Sequence, residues 1–237
     1  MINRLRYVAA SFGLIMLMAG PVQAHDSINA EARKNYLSKL QELQAASAAS
    51  SPSALRAKSL YQIGVTLDEI RELFNQDIIS HGAVKGLETS LLLNELTRIG
   101  NKLEASPKTG LYLSQLQYYR DAIRLDPRAA FIDHARYMLL KSHFYDSFSD
   151  NPLTPFSQSK ETLAEMIGIG EGLLKFKHPQ INGEELRFIL GIHYLQAIKQ
   201  QQGDKEDTLK KLKKLVQELH KDYPQSLKLL TLESLMS

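Results

Sequence analysis

The chain has 237 residues, of which 43% are hydrophobic, with 29 Lys+Arg against 26 Asp+Glu and no cysteine. That apolar content suffices for a packed core in one domain or two closely packed ones. The missing cysteine excludes disulfides, thiol–disulfide exchange, haem attachment through Cys-x-x-Cys-His and lipid attachment at a cysteine.

Arg4 and Arg6 precede an uncharged, largely apolar run from Val8 to Gly20, followed by Pro21-Val22-Gln23-Ala24. A basic start, a short apolar segment and small residues at a cleavage position form the layout of a secretory signal. Crossing a bilayer takes about 20 apolar residues, more than this run supplies. The expectation is a signal peptide over residues 1–24 and a mature chain beginning at His25. Without Arg4 and Arg6, the 29 basic residues become 27 against 26 acidic ones. Near-neutrality speaks against nucleic-acid binding, which calls for a strong basic stripe. The expected compartment is the periplasm, with secretion as the alternative and no stable membrane anchor.

After Asp26 the apolar spacing is three and four throughout, which predicts helices and no sheet. The first helix starts near Ser27 and presents Tyr36, Leu37, Leu40 and Leu43 on one face, then dissolves in the alanine–serine stretch 45–50. Ser51-Pro52 is a start signal for a helix carrying Leu55, Leu60, Ile63, Leu67, Ile70 and Phe74, with His81-Gly82 as its end. Thr66 and Glu69 are spaced as a capping box that restarts this helix after Gly64. Further helices are predicted over about 87–103, 110–125, 129–148, up to 177, 184–202, 205–222 and from 226. Five of these stop at Pro107, Pro127, Pro179, Gly203 and Pro224; proline ends a helix because it lacks an amide hydrogen and displaces the residue before it from helical geometry. Pro127, Pro179 and Pro224 recur 52 (179 − 127) and 45 (224 − 179) residues apart. Such recurrence predicts an all-α fold, an α-solenoid of antiparallel helix pairs.

The segment Tyr119-Arg120-Asp121-Ala122-Ile123-Arg124-Leu125-Asp126-Pro127 resembles the end of a tetratricopeptide repeat. Ala135, Tyr137 and Leu139 suit the opening of a next unit, and Leu190-Gly191-Ile192-His193-Tyr194 is similar to a first helix of this family. Gly203-Asp204 resembles the turn within a pair, and Tyr223-Pro224-Gln225-Ser226 a repeat ending of periplasmic members. The resemblance covers roughly residues 110–237, although the spacings exceed the family's usual 34 residues. Another helix-pair repeat is the alternative. The expected organisation is a signal peptide (1–24), an N-terminal helical bundle segment (25–105) and tetratricopeptide-like repeats (106–237). The resemblance implies a setting in cell-envelope assembly or the organisation of an envelope complex.

The remaining polar and glycine-rich features bear on several chemistries. His25 could bind copper only at a free N-terminus with poor support from Asp26 and Ser27. His134 and His143 lie nine apart, too far to share a metal as an i, i+4 pair, and there is no His-Glu-x-x-His run. Gly168, Gly170 and Gly172 lack the Gly-Lys-Ser/Thr ending of a phosphate loop and predict close helix packing or a kink. No Gly-x-Ser-x-Gly elbow occurs. Lysines 205, 210, 211, 213 and 214 surround an apolar stripe of Leu209, Leu212, Leu215, Val216 and Leu219. This reads either as a solvated face or as a membrane-surface helix. The loop 147–156, with two prolines and flanking aromatics, is the most irregular feature.

The reading is therefore a non-catalytic protein, without cofactor or metal, that binds another protein or peptide in a groove. The candidate groove residues are Arg136, Tyr137, Lys141, Arg187 and Tyr194, since Tyr and Arg combine apolar area with directional hydrogen bonding. An exported all-helical hydrolase or small-ligand binder is the rival, and oligomerisation through the N-terminal helices is a third possibility.

Overall fold

The computed structural model describes residues 28–84, 86–150, 159–176 and 178–236. The expected signal peptide, His25 and most of the 147–156 loop lie outside the described residues. Among those described there are nine helices and no strand, only an isolated bridge between Ala105 and Tyr112. The all-α expectation holds. The chain divides at 155/156 into two compact units.

The first unit holds α1 (Ala30–Ala46), α2 (Ser53–His81), α3 (Leu87–Arg98), α4 (Leu116–Leu125) and α5 (Ile132–Asp150). Asn29 caps α1 by accepting the Ala32 amide at 2.8 Å. Pro52 stands at the N-cap of α2, and Gly82 ends it in the left-handed region at φ 77°, its amide returning to the Ile78 carbonyl. Leu40, Ile63, Leu67, Ile70, Phe74, Leu92, Leu96 and Leu103 form one apolar cluster. Arg33 of α1 holds α3 by bonding Glu88 at 2.7 Å and Glu95.

The restart expected at Thr66 does not occur. Helix α2 runs unbroken for 29 residues through Gly64, and the Thr66 hydroxyl donates to the Gln62 carbonyl inside the helix. Gly64 serves packing instead. A Cβ there would lie 2.9 Å from Cε1 of Tyr119 in α4. The boundary expected at 105/106 also falls inside this unit, because α2 packs on α4 and α5 beyond it.

Helix α4 starts at Leu116, not near Gly110, because buried side chains claim the backbone before it. Asn75 donates to the Tyr112 carbonyl at 2.9 Å and accepts its amide at 2.7 Å. Asp146 of α5 accepts the Ser114 amide at 2.9 Å and its hydroxyl at 3.0 Å. Behind these lies Asp68, which accepts from Tyr119 (2.7 Å), Ser142 (2.7 Å) and Arg71 (3.2 Å). Arg71 also faces Asp146 at 3.7 Å.

The second unit holds α6 (Lys160–Leu174), α7 (Gly183–Lys199), α8 (Lys205–Asp222) and α9 (Leu227–Met236). Ser159, Asn182 and Asp204 cap the first three, each accepting amides of the first turn. Helix α7 is central, packing on α6, α8 and α9, and buries Leu186, Phe188, Ile189, Leu190 and Ile192. Gly191 sits where a Cβ would lie 2.7 Å from Leu232 of α9, so the two helices approach closely there. Of the three glycines in α6, Gly170 lies against Leu190, while Gly168 and Gly172 face open space.

Gly64→Ala should destabilise the protein by about 1–3 kcal/mol, because the Tyr119 ring is fully buried and tethered by its hydroxyl. Gly168→Ala should instead add about 0.5–1 kcal/mol through helix propensity. Urea unfolding of both variants checks the pair, and equal effects would contradict this packing. Asp146 supplies a pH signature. Burial raises its pKa to about 6, against the opposing pull of Arg71 and the Ser114 amide. A carboxyl raised in the folded state contributes stability present below its unfolded pKa near 3.8 and lost as pH climbs through about 6. The loss amounts to about 3 kcal/mol. Asp146→Asn should remove that slope from urea midpoints measured between pH 4 and 7.

Candidate functional site

The five groove residues expected from the sequence fall in both units, three on α5 and two on α7. On α5, Arg136 pairs with Asp133 at 3.0 Å on its own helix. Lys141 stands 5.8 Å above the Tyr145 ring, also on its own helix. Tyr137 is only 4% exposed, so its ring presents packing area and almost no binding area. On α7, Arg187 is a strut: it donates to the Gly183 carbonyl (3.1 Å) and meets Glu218 (3.3 Å) and Asp222 (3.6 Å) of α8. Tyr194, again 4% exposed, donates its hydroxyl to Glu171 of α6 at 2.9 Å. The interactions of these residues are therefore mainly within the protein.

The first unit brings together a different set. Tyr61 of α2 stacks on Phe131, just before α5, with ring centroids 4.9 Å apart and planes inclined by 16°. Its hydroxyl lies 2.6 Å from Nδ1 of His134, whose ring meets the Tyr61 ring edge-on at 5.8 Å. All three side chains are half-buried, as are Lys141 and Tyr145 further along α5. A row of half-exposed rings beside a lysine offers apolar area, hydrogen-bonding edges and one cation on two adjoining helices. Burial, then the charge of Lys141, lowers the pKa of His134 below its usual value. The imidazole is thus neutral at neutral pH, and its Nδ1 can accept the Tyr61 proton.

The sequence held a signal for Tyr61 in Ile63-Gly64, an apolar–glycine pair like Leu190-Gly191, which marks α2 as a helix approached closely by another. Tyr61 lies one turn before that glycine.

In the second unit, α6, α7 and α8 border a cleft of about 350 Å³ lined by Glu171, Leu174, Tyr194, Lys211 and Leu215 among others. Lys211 meets Glu171 and Asp207 at 3.1 Å each. Burial and the bond to Glu171 push the Tyr194 hydroxyl upward, so it keeps its proton. Glu171 is thus engaged by a hydroxyl and an ammonium. Among the described residues, no three His, Cys, Asp or Glu side chains are grouped so as to hold a metal ion, and no helix is long and apolar enough to cross a membrane. No family model, no curated protein and no solved structure matches the chain.

Replacing Lys141 by Ala should raise the His134 pKa toward 6.5, since the ammonium opposes imidazolium formation. A titration of the histidine ring protons by NMR reads this directly, and an unmoved midpoint would show that Lys141 does not act on the ring.

Proposed function

We propose that this chain is an exported, non-catalytic helical-repeat protein that binds an extended segment of another protein, in the setting of the cell envelope. The two units support a helix-pair repeat of the tetratricopeptide type. In the first, α2 carries Ile63-Gly64, α4 returns along it, and α5 packs on both. In the second, α7 carries Leu190-Gly191, α8 returns along it, and α9 packs on both. Each glycine admits a side chain from a neighbouring helix at a distance a Cβ would obstruct. In stacked pairs of this kind the first helices line the hollow side. On this reading α2 and α5 are consecutive first helices.

The observation that carries the reading is the Tyr61–Phe131–His134 cluster, which bridges those two helices with half-exposed rings. Rigid aromatics lose little side-chain entropy on binding and dominate interface energetics. The groove is accordingly centred on Tyr61 and Phe131, with Lys141 at its margin, and Tyr137, whose ring lies 6.0 Å from that of His134, supports it from within the first unit. The proposed address is the periplasm, reached through the leader at residues 1–24.

Affinity capture from a cell-envelope extract, followed by titration of the recovered partner, tests this. The double variant Tyr61→Ala/Phe131→Ala should weaken partner binding by at least tenfold, about 1.4 kcal/mol, while Arg124→Ala on the exposed side of α4 should not. Unchanged affinity in the double variant would reject the site.

A further inference from the structure

We infer that Tyr61 and His134 form an acid-released latch: protonation of His134 draws its ring off the Tyr61 hydroxyl and frees the aromatic end of the seam between α2 and α5. The latch belongs to the first unit alone, and its use as a control on partner binding rests on the reading above.

Polar ties between α2 and α5 step along both helices in the same direction. Tyr61 lies 2.6 Å from His134, Asp68 accepts from Ser142 at 2.7 Å, and Arg71 faces Asp146 at 3.7 Å. The two helices therefore run parallel, with Tyr61 and His134 toward one end of the seam. That end is the wetter one: Tyr61 and His134 are half-buried, whereas Asp68 and Arg71 are buried.

The tie depends on a neutral imidazole. Tyr61 donates to Nδ1, and Nδ1 is bare only while the ring carries its single proton on Nε2. Protonation puts a hydrogen on Nδ1, so two donors point at each other. Turning the Tyr61 hydrogen away would restore a bond, but only by holding the imidazolium in place, and its surroundings oppose a charge there. Burial acts against it first and the Lys141 ammonium second. His134 is also the third residue of α5, where the positive end of the helix dipole disfavours a cation.

Compensating acids are engaged elsewhere. Asp133 pairs with Arg136 at 3.0 Å along α5. On α4, Asp121 accepts from Gln117 and Arg124 of its own helix, and Asp126 ahead of α5 accepts the Arg128 amide. On α2 the facing group is Tyr61 itself, whose hydroxyl burial pushes upward, so it keeps its proton. The charged residues that flank it there, Arg56 and Lys58, are cations. The imidazolium is therefore better hydrated than held, and its ring turns out toward solvent. Tyr61 then loses its acceptor and the edge-on ring 5.8 Å away, which together fix its stack on Phe131.

The sign follows from linkage. A histidine whose folded pKa lies below 6.5 contributes stability that is present above 6.5 and lost as pH falls through the folded value. Asp146, twelve residues further along α5 (146 − 134), responds in the opposite sense. The two ends of the seam thus answer acid with opposite signs.

NMR of the purified protein from pH 7.5 down to pH 4 reads the latch. The His134 ring should titrate with a midpoint below 6.5. Over that same interval the nuclear Overhauser contacts between the Tyr61 and Phe131 rings should be lost, while those between Phe74 and Tyr112 in the core persist. His134→Gln keeps an acceptor for Tyr61 without titrating, so its Tyr61–Phe131 contacts should persist throughout. Asp146→Asn should leave the step in place. A His134 ring that stays neutral to pH 4, ring contacts that survive its titration, a step retained in His134→Gln or one abolished by Asp146→Asn would each overturn the latch. None of these measurements involves a partner, so their failure is distinct from failure of the binding site, which the affinity of Tyr61→Ala/Phe131→Ala decides.

Discussion

One carboxylate sets the geometry of the first unit. Asp68 is 3% exposed, and an isolated charge at that depth would cost several kcal/mol. It is tolerated because three donors converge on it: the Tyr119 hydroxyl from α4, the Ser142 hydroxyl from α5 and the Arg71 guanidinium one turn along α2. Those bonds are directional, so they fix the rotation of three helices about their own axes where apolar contacts alone would tolerate sliding. The same Tyr119 hydroxyl holds its ring close against Gly64. The hydrogen bond and the missing Cβ are two halves of one constraint. Arg71 carries the network on to Asp146, and Asp146 takes the amide and hydroxyl of Ser114, which keeps residues 111–115 out of α4.

The second unit reaches close packing by a different balance. Its glycine, Gly191, receives an aliphatic branch, Leu232, where Gly64 receives a tethered ring. Its directional bonds lie nearer the rim. Arg187 ties the start of α7 to the end of α8, and Tyr194 with Lys211 ties α7 and α8 to Glu171 of α6. Rim ion pairs are each worth little, so here the fit of side chains about α7 carries the stability. Polar contacts select which helix neighbours which.

Local signals explain what was legible beforehand. Pro127, Gly82 and Gly203 end or follow helices for reasons contained within a few residues: a missing donor, or a φ of 77° or 70° that a Cβ would strain. The distant contacts were not legible. Thr66 and Glu69 have the spacing of a capping box, yet the helix runs on because Tyr119, 55 residues beyond Gly64 (119 − 64), fills the groove above that glycine. Residues 110–115 have helical periodicity, but Asn75 and Asp146 outbid the helix for their amides. Tyr137 and Tyr194 read as surface residues because tyrosine favours interfaces, whereas a helix packed on several sides buries residues that spacing alone would place outside. Tyr61 carries no signal of its own: Ile63-Gly64 beside it becomes informative only once α4, beyond residues 82–115, is packed on α2.

How the carboxylates are used bears on what such a protein does. A general base needs a lone pair directed at a substrate. Asp68 directs its oxygens at three internal donors, Asp146 at Ser114 and Arg71, and Glu171 at Tyr194 and Lys211. Each of these acids acts as a strut between helices. The rings stacked across α2 and α5 are used differently, since Tyr61 and Phe131 stay half-exposed. Half-exposed rings gain from further contact because covering their faces removes apolar area from water. Asp68, Asp146 and Glu171 thus spend their lone pairs on holding helices together, while the half-exposed Tyr61 and Phe131 rings keep apolar area that only a further contact would bury.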